Sequence, residues 1–401
     1  MNISRPPAGQ ARLERSFWKA AAIAVLITGC CSLPVFLVGG LAVQIRDELD
    51  LPISRIGYLT AIFFVSSAAF SAYAGRIAER IGASRSMRIS GALGAVTLVG
   101  LALAPSYPAL LACLVLGGVA SALAQVGANL HLATRVDQSR QAFAFGIKQS
   151  GIPAATLLGG LAVPLIALTI GWRWAFAIGA LLTIAVILSV PRARTRLGAR
   201  DEKRVRPHNV RALAVLAVAG AFGSAAANSM GSYLVDSSVS AGLGEASAGL
   251  LFAAGSVAGL SMRVGAGWLA DRRTGGRLLW VAGLYLVGSV GFLLQATRAT
   301  ELLWVATLLC FGGGWGWPGL FNFAVVSRNP QAPAAATGLT QTGVYLGGTG
   351  GPLLFGVVAE SFGYQYSWLG ASAFGMIACT AVLIGRRMLL RAGEPEFEVE
   401  A

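Results

Sequence analysis

The sequence predicts an all-α membrane protein whose twelve transmembrane helices form two pseudo-symmetric six-helix bundles. Three observations lead to this fold class. Of the 401 residues, 55% are hydrophobic and only 12% are charged, whereas about 25% of a soluble domain is charged. Twelve apolar runs are long enough to cross a bilayer, and short motifs from the first half of the chain return in the second half at a constant spacing.

Each apolar run predicts one transmembrane helix, because about 20 mostly apolar residues span the hydrocarbon core. The runs lack the alternation of a membrane barrel strand. In lipid, a helix satisfies its backbone groups within its own segment. The first run is longer than the apolar core of a cleaved signal peptide, so we expect it to be retained. The predicted helices, numbered 1 to 12, cover residues 18–43, 54–78, 86–104, 107–134, 141–169, 174–191, 211–235, 246–270, 277–297, 300–327, 333–361 and 366–390.

The net charge of +14 is distributed unevenly along the chain. Most Lys and Arg residues lie in the tails and in the loops on the side of the N-terminus. The loops on the other side contain only Arg46, Arg55, Arg173 and Arg298. Cytoplasmic loops are enriched in Lys and Arg, so this pattern predicts a protein of the cell (inner) membrane with both termini in the cytoplasm. We expect the basic stretch 192–211 to contact anionic lipid, and we expect no nucleic-acid partner.

Two motifs recur in the sequence with an offset of 192 residues. The first motif, Gly-Ile-Lys-Gln-Ser-Gly at 146–151, returns as Gly-Leu-Thr-Gln-Thr-Gly at 338–343. The second, Gly-Arg-Ile-Ala-Glu-Arg at 75–80, returns as Gly-Trp-Leu-Ala-Asp-Arg at 267–272. A single duplication explains the shared offset. Parallel repeats of this kind are a transporter architecture in which the substrate binds between the halves near mid-membrane.

The duplication also predicts how the chain is divided. An N-terminal six-helix bundle covers 1–190, a cytoplasmic basic linker covers 191–210, and a C-terminal six-helix bundle with a short acidic tail covers 211–401. Each chain would then contain both halves of a carrier, so we expect it to work as a monomer.

The loops that follow helices 2 and 8 carry related patterns of glycine, acid and base. After helix 2 the residues are Gly75, Glu79, Arg80, Gly82 and Arg85, and after helix 8 they are Gly267, Asp271, Arg272, Gly275 and Arg277. These patterns resemble the signature loop of the major facilitator superfamily, and the resemblance covers nearly the whole chain. Glu79 stands where that family usually has Asp, and Gly275 comes one residue later than in the signature.

The resemblance implies that the two loops act as a conformational latch that favours the outward-facing state. An acid at this position can pair with a nearby Arg or with a helix N-terminus. Such a contact holds one conformation and breaks in the other. The alternative interpretation is a helix terminator that carries cytoplasmic positive charges.

Two charged residues, Lys148 in helix 5 and Arg263 in helix 8, lie deep within apolar runs, whereas all 17 Asp and Glu lie in tails, loops or helix ends. At a rise of ~1.5 Å per residue, both cations lie about 10–12 Å from the cytoplasmic end. A charge at the bilayer centre costs about 2.5–3.5 kcal/mol on insertion scales, so it indicates a function. Two cations without an acid favour an anionic substrate, since Arg offers a planar fork to a carboxylate.

The position of Arg263, four residues before Gly267, is similar to that of the substrate-binding arginine in monocarboxylate and oxalate/formate carriers. The run that contains Lys148 resembles bacterial carriers of the cyanate/nitroimidazole type. These resemblances imply that both cations bind the substrate. The alternatives are that Arg263 binds backbone carbonyls or reaches toward the inner surface, and that Lys148 lies near a helix end.

In the major facilitator superfamily, helices 1, 4, 7 and 10 line the pathway, and here they and helices 5 and 11 carry polar or aromatic residues midway along their length. Amide side chains are costly in lipid unless they are hydrogen-bonded, so we expect them to face inward. Helix–helix contacts are the alternative for the polar residues, and packing beside glycines is the alternative for the tryptophans. The candidates are Gln125, Asn129, Gln149, Asn228, Ser229, Ser232, Tyr233, Trp315, Trp317, Asn322, Gln341 and Tyr345.

Motifs of ATP-driven, metal-dependent and catalytic proteins are missing from the sequence. It contains no phosphate-binding loop of the type G-x-x-x-x-G-K-[ST], and its two His residues make a metal site improbable. We expect His131, near the cytoplasmic end of helix 4, to be surface-exposed. The sequence therefore predicts neither an enzyme nor a cofactor, and transport would run on gradients.

We interpret the chain as a secondary active transporter that moves a small anion, such as a monocarboxylate or a similar organic acid, by alternating access. An anion that moves against an inside-negative potential needs proton or exchange coupling, and the proton would travel with the substrate or through Lys148. The alternative is an exporter of drugs or metabolites with a broad apolar pocket. A non-transporting sensor or assembly subunit would need an added soluble domain.

Overall fold

A computed structural model describes residues 8–192, 209–272, 276–329 and 332–391, and these residues are almost entirely helical, with no strand among them. The first half contains α1 (Ala8–Gly40), α2 (Ser54–Ile81), α3 (Ala83–Leu103), α4 (Tyr107–Arg135), α5 (Gln138–Lys148, Gly151–Ala162, the π-helical turn Val163–Ala167, and Leu168–Ile170) and α6 (Trp172–Ser189). A short connecting helix, Ala42–Leu49, lies between α1 and α2.

The second half repeats this order of helices. It contains α7 (Val210–Ser240), α8 (Glu245–Arg272), α9 (Arg277–Ala296), α10 (Thr300–Leu309, the π-helical turn Cys310–Gly314, and Pro318–Ser327), α11 (Pro333–Phe362) and α12 (Tyr364–Arg391). The linker that the sequence predicts between the halves lies mostly outside the described residues, as does the acidic tail.

The twelve predicted segments are all helical, and the structure supports nearly the predicted number of membrane spans. Ten helices are long and apolar enough to cross a membrane, and an eleventh span is added if the connecting helix and α2, which meet at a bend of 115°, are taken together. The remaining segment, α10, is divided by its π-helical turn into two α-helical pieces of 10 residues each. Each piece alone is too short to span the hydrocarbon core.

Leucines on the outside of the bundle are exposed to an extent that water would disfavour. Leu103, Leu181 and Leu188 are 73%, 67% and 72% exposed. Hydrocarbon solvates such side chains, so an apolar surface fits a protein whose solvent is the bilayer. The molecule thus has an apolar exterior as well as an apolar core.

Small residues bring α7 and α11, which run parallel, into close contact. Three glycines of α11, spaced four residues apart, each face the backbone of an alanine of α7: Gly343 faces Ala217, Gly347 faces Ala221, and Gly351 faces Ala225. A Cβ atom at any of the three would overlap the alanine backbone. In the first half, α1 and α5 approach each other in the same way at Gly29 and Gly151. Small residues are the usual means by which membrane helices pack this closely.

The two halves contact each other most closely at one end of the molecule. We call the end at which α1 begins the basic end, because most Lys and Arg of the sequence lie there, and the opposite end the far end. Toward the far end, Gly39 of α1 crosses Gly231 of α7, and Gly160 of α5 lies against the backbone of Ala253 of α8. The helices of the two halves are therefore closed against each other on the far side.

Candidate functional site

The guanidinium of Arg263, on α8, contacts both halves of the molecule. Its Nε and Nη2 atoms donate to the carbonyl oxygen of Trp315 on α10, at 3.1 and 2.9 Å. Its Nη1 atom donates to the carbonyl oxygen of Gln149 on α5, at 2.8 Å. This second contact joins the halves, because α5 belongs to the first bundle and α8 to the second. In this conformation Arg263 thus binds backbone carbonyls, one of the alternatives that the sequence left open.

The two carbonyls are free to bind Arg263 because the helices are irregular at these points. In a continuous α-helix the Gln149 carbonyl would accept a hydrogen bond from residue 153, but Pro153 has no N–H to donate. The chain of α10 is broken between its π-helical turn and Pro318, and Trp315 lies in that break. An unsatisfied backbone group in the membrane costs several kcal/mol. The arginine therefore stabilises one helix irregularity in each half.

Lys148 lies on α5, one residue before Gln149, and is 5% exposed. Its Nζ atom donates to the Oδ1 atom of Asn129 on α4, at 2.9 Å. Asn129 itself is exposed, so the amide that holds the ammonium is accessible. Arg263 binds the backbone of the residue next to Lys148, so both predicted cations belong to the region where α5 and α8 cross, while the Lys148 ammonium itself is bonded to α4.

Neither of these cations contacts a carboxylate within the part of the chain that the structure describes. Their hydrogen bonds end on carbonyl and amide oxygens, which are neutral. Neutral acceptors satisfy the N–H groups but leave the positive charges uncompensated. A buried charge without a partner is unfavourable, so the crossing of α5 and α8 is a place where an anion would be stabilised.

The amide candidates of the second half form a similar contact. Gln341 on α11 donates from its Nε2 atom to the Oδ1 atom of Asn322 on α10, at 3.3 Å. Like Asn129 and Lys148, these residues are nineteen positions apart and lie on the fourth and fifth helices of their half. At the offset of 192 residues, Gln341 is the counterpart of Gln149 and Thr340 that of Lys148, so the contact in the second half is made one residue later and without a charge.

The candidates on α7 lie within helix contacts. Asn228 donates to the carbonyl and hydroxyl oxygens of Ser224 on the same helix. Tyr233 is fully buried, and its hydroxyl donates to the carbonyl of Ile53 in the other half. Both residues are thus engaged in packing in this conformation, and a contact with substrate stays a prediction.

The two tryptophan candidates have different surroundings. The ring of Trp315 packs edge-on against Phe36 of the first half, with centroids 5.5 Å apart. Trp317 is 2% exposed and lies between Tyr285 and Phe321 of its own half. Trp315 is therefore positioned between the halves, whereas Trp317 belongs to the core of the second bundle.

The remaining candidates are partly exposed. Gln125, Gln149 and Tyr345 each have an intermediate exposure. Tyr345 lies beside Ser67 of the first half, so it is positioned between the halves. For all three residues a contact with substrate stays a prediction.

Asp236, at the far end of α7, forms an ion pair between the halves that the sequence did not predict. Nη1 of Arg46 lies 2.7 and 2.6 Å from its Oδ1 and Oδ2 atoms, and the hydroxyl of Tyr364 donates to Oδ2 at 2.5 Å. Two further cross-half contacts lie nearby, from Gln44 to Glu245 and from the backbone of Ser54 to Glu360. The sequence contained one indication of such contacts, because it places an arginine in a far-end loop and acids at far-end helix termini.

The signature loop after α2 is exposed and makes few contacts. Glu79, Arg80 and Arg85 are exposed, and Glu79 makes no hydrogen bond or ion pair with any described residue. A Cβ atom at Gly75 would meet nothing within 4 Å. The first copy of the predicted latch therefore makes no such contact among the described residues. The second copy, Gly267, Asp271, Arg272 and Gly275, lies outside the part of the chain whose contacts the structure describes, so the latch stays a prediction.

The expectation that His131 is surface-exposed is wrong. The residue is 2% exposed on the face of α4 that packs into the first half. The apolar residues around it, Ala128 and Leu132, belong to the cluster formed by α1, α3 and α4. Its position near a helix end does not predict exposure, because this face of α4 packs against other helices of the first half.

Known proteins resemble the chain both in sequence and in structure. It is 28% identical over 354 residues to "Multi-drug resistance efflux pump PmrA" of Streptococcus pneumoniae, covering 84% of this chain and 88% of the relative. It is 28% identical over 274 residues to "Chloramphenicol resistance protein" of Streptomyces lividans, covering 63% of this chain and 66% of the relative.

Among solved structures, a bacterial homologue of the human lysosomal transporter Spinster, in an inward-facing and unoccupied conformation, superposes with a TM-score of 0.71. The alignment covers 94% of this chain and 98% of that protein at 16% identity, which supports the fold. The family model described as "Major Facilitator Superfamily" matches residues 24–352. With its two six-helix halves, the chain belongs to the major facilitator superfamily and is a multi-pass membrane transporter.

Proposed function

We propose that the protein is a secondary active transporter of a small organic anion, with a monocarboxylate or a similar acid as substrate. The observation that carries this proposal is the convergence of Lys148 and Arg263 at the crossing of α5 and α8 without a carboxylate partner among the described residues. An anion would neutralise positive charge that neutral carbonyls and amides leave uncompensated. Since the cations come from opposite halves, an anion between them would contact both halves, as alternating access requires.

The arrangement also supports an assignment of the conformation that the structure shows. If the basic end is cytoplasmic, as the Lys and Arg distribution indicates, then closure at the far end corresponds to an inward-facing state. The disengaged loop at Glu79 agrees with this, because the latch is expected to hold the outward-facing state. The protein would lie in the inner membrane with both termini in the cytoplasm and act as a monomer, with a proton travelling on the acid or through Lys148.

Uptake into proteoliposomes tests this proposal. We expect the wild-type protein to accumulate radiolabelled lactate, acetate or oxalate when a proton gradient or an internal acid is supplied. Arg263→Ala and Lys148→Ala should each reduce uptake at least about tenfold, because a hydrogen bond to a charged group contributes about 1.5–3 kcal/mol. Arg298→Ala, at a partly exposed far-end arginine that binds Ser240, is the matched control. If both cation variants kept full uptake, the anion site would be wrong.

Efflux of apolar drugs is a second candidate function, and the names of the relatives favour it. Four aromatic rings, Phe36, Phe252, Phe311 and Trp315, pack in series, and the contact of Phe36 with Trp315 joins the halves. The rings are buried in this conformation, and separation of the halves at Phe36 and Trp315 would expose an apolar surface that suits a planar apolar molecule. Expression in a host that lacks its own efflux pumps should then raise the inhibitory concentration of chloramphenicol, and Trp315→Ala should abolish the increase. An unchanged inhibitory concentration would contradict this candidate.

A further inference from the structure

We infer that the Gln149 carbonyl competes with the transported anion for Arg263, so that the empty carrier occupies its own binding site. This inference rests on the proposed function, and it adds which group of the protein binds Arg263 when no substrate is present. The observations behind it are the hydrogen bonds of Arg263 and the reason why their acceptors are free.

Three of the five N–H groups of the guanidinium are engaged in this conformation. A carboxylate binds Arg through two parallel N–H groups on adjacent nitrogens. In Arg263 the edge formed by Nε and Nη2 is engaged by the Trp315 carbonyl, and Nη1 is engaged by the Gln149 carbonyl. Each two-nitrogen edge therefore includes a nitrogen that already donates to a backbone carbonyl. A carboxylate that takes the edge of Nε and Nη2 has to displace the Trp315 carbonyl, and one that takes the edge of Nη1 and Nη2 shares Nη1 with the Gln149 carbonyl or displaces it.

Displacement of the Gln149 carbonyl would affect the contact between the halves, whereas displacement of the Trp315 carbonyl would not. The Gln149 bond to Arg263 joins the halves, whereas the Trp315 bond lies within the second half. Lys148 is the neighbouring residue of the same helix, and its ammonium, which Asn129 holds in this conformation, would have to turn toward the anion for both cations to bind it. The direct hydrogen bond between halves would thus be replaced by a bridge through the anion. Substrate occupancy and the contact between halves become linked at one carbonyl.

Pro153 is the positioning residue in this scheme. It acts through another group, because it withholds the N–H that would satisfy Gln149 inside α5. Pro153→Ala restores that N–H. The Gln149 carbonyl would then have a partner in its own helix and would compete less well for Arg263. We therefore expect Pro153→Ala to bind anions more tightly than the wild-type protein.

The test measures the thermal stabilisation of the purified full-length protein in detergent as sodium acetate or sodium benzoate is added, with sodium chloride to keep the ionic strength constant. Binding to the folded state stabilises it by RT ln(1 + L/Kd), where L is the ligand concentration, so the rise of the melting temperature with L yields Kd, which is the half-saturating concentration. Pro153→Ala should lower this concentration roughly three- to tenfold, since one competing hydrogen bond to a charged group is weakened.

Pro164→Ala is the matched control, because it restores an N–H in the same helix, in the π-helical turn Val163–Ala167, away from Arg263. It should leave the half-saturating concentration unchanged. Pro153→Ser restores the same N–H as Pro153→Ala and takes its place if the alanine variant yields too little folded protein.

The outcomes separate this inference from the proposed function. A saturable response that is lost in Arg263→Ala and strengthened in Pro153→Ala supports both. A response that is lost in Arg263→Ala but is equal or weaker in Pro153→Ala overturns the competition and leaves the anion site intact. A wild-type protein that responds to neither acid, or an Arg263→Ala variant that responds normally, overturns the anion site and the competition together.

Discussion

At the scale of single residues, charged side chains lie where the two halves meet. Their charges are compensated at the far end and uncompensated near the middle. Near the middle, Lys148 and Arg263 are satisfied by neutral oxygens and keep their positive charges uncompensated. At the far end, Arg46 and Asp236 neutralise each other. The first arrangement favours a mobile anion, whereas the second favours a fixed contact between the halves.

The ion pair of Arg46 and Asp236 predicts that far-end closure depends on it. Asp236→Asn should weaken closure, because the amide loses the charge that holds Arg46 and the bond from Tyr364 is altered. A cysteine at Thr60, which is buried and bonded to Ser232 of the other half, should then react several-fold faster with a membrane-impermeant maleimide added from the far side. The experiment requires a background in which the five native cysteines are replaced.

Arg298→Gln is the control for this prediction, since Arg298 binds Ser240 within the second half and makes no described contact with the first half. Its labelling rate should equal that of the background protein. Equal rates in Asp236→Asn and the background would show that the close glycine contacts, and not the ion pair, keep the far end closed.

At the scale of elements, breaks in the helical hydrogen bonding determine which backbone carbonyls are free to bind a side chain. Pro153 and the break after the π-helical turn of α10 each leave a carbonyl that Arg263 binds. By contrast, α7 and α11 are continuous α-helices, and their glycines and alanines allow contact over several turns. The irregular helices carry the candidate site, and the regular pair provides rigidity.

The contact between α7 and α11 predicts a strong difference between two glycines of the same helix. Gly347→Ala should destabilise the protein by about 1–3 kcal/mol, because the added methyl overlaps the Ala221 backbone and overpacking has costs of this size. Gly350→Ala should be neutral or slightly stabilising, because a Cβ there meets nothing within 4 Å and alanine favours helix. Thermal unfolding in detergent measures both, and equal effects would contradict the packing argument.

At the scale of the whole molecule, the two halves behave as units that are joined by a limited set of contacts. Each half has its own tightly packed helix pair, and the halves approach most closely at the far end. A carrier that works by alternating access needs this organisation, because one end must open while the inside of each half stays intact. The far end is the part of the interface that has to separate.

The crossing of α1 and α7 predicts a variant that folds but cannot close. Gly39→Leu places a side chain against Gly231 of the other half, so the far end should stay open and substrate transport should fall to background. The melting temperature should change little, because the contacts inside each half are unaffected. Gly244→Leu, at a far-end glycine with open space around it, should transport normally. Transport by Gly39→Leu at the wild-type rate would contradict this account of closure.

Much of the architecture followed from the sequence because its causes are local or repetitive. Apolar runs predict helices one at a time, and the constant offset of 192 residues predicts two related halves. The sequence also showed that Lys148 and Arg263 lie deep within their predicted helices. The partners of Arg263 could not be predicted, because they are backbone carbonyls on two other helices, and only the packed structure shows which carbonyls reach the arginine.

The sequence by itself therefore determined the helices, their duplication, the asymmetry of charge and the two deep cations, since these depend on the composition and order of residues. Only the tertiary structure decided that Arg46 meets Asp236, that His131 is covered by its neighbours, and that Arg263 holds Gln149 and Trp315. These contacts join residues that are 190 and 114 positions apart, or 52 within the second half. Their geometry depends on where helices cross, and crossings are set by close packing of the whole bundle.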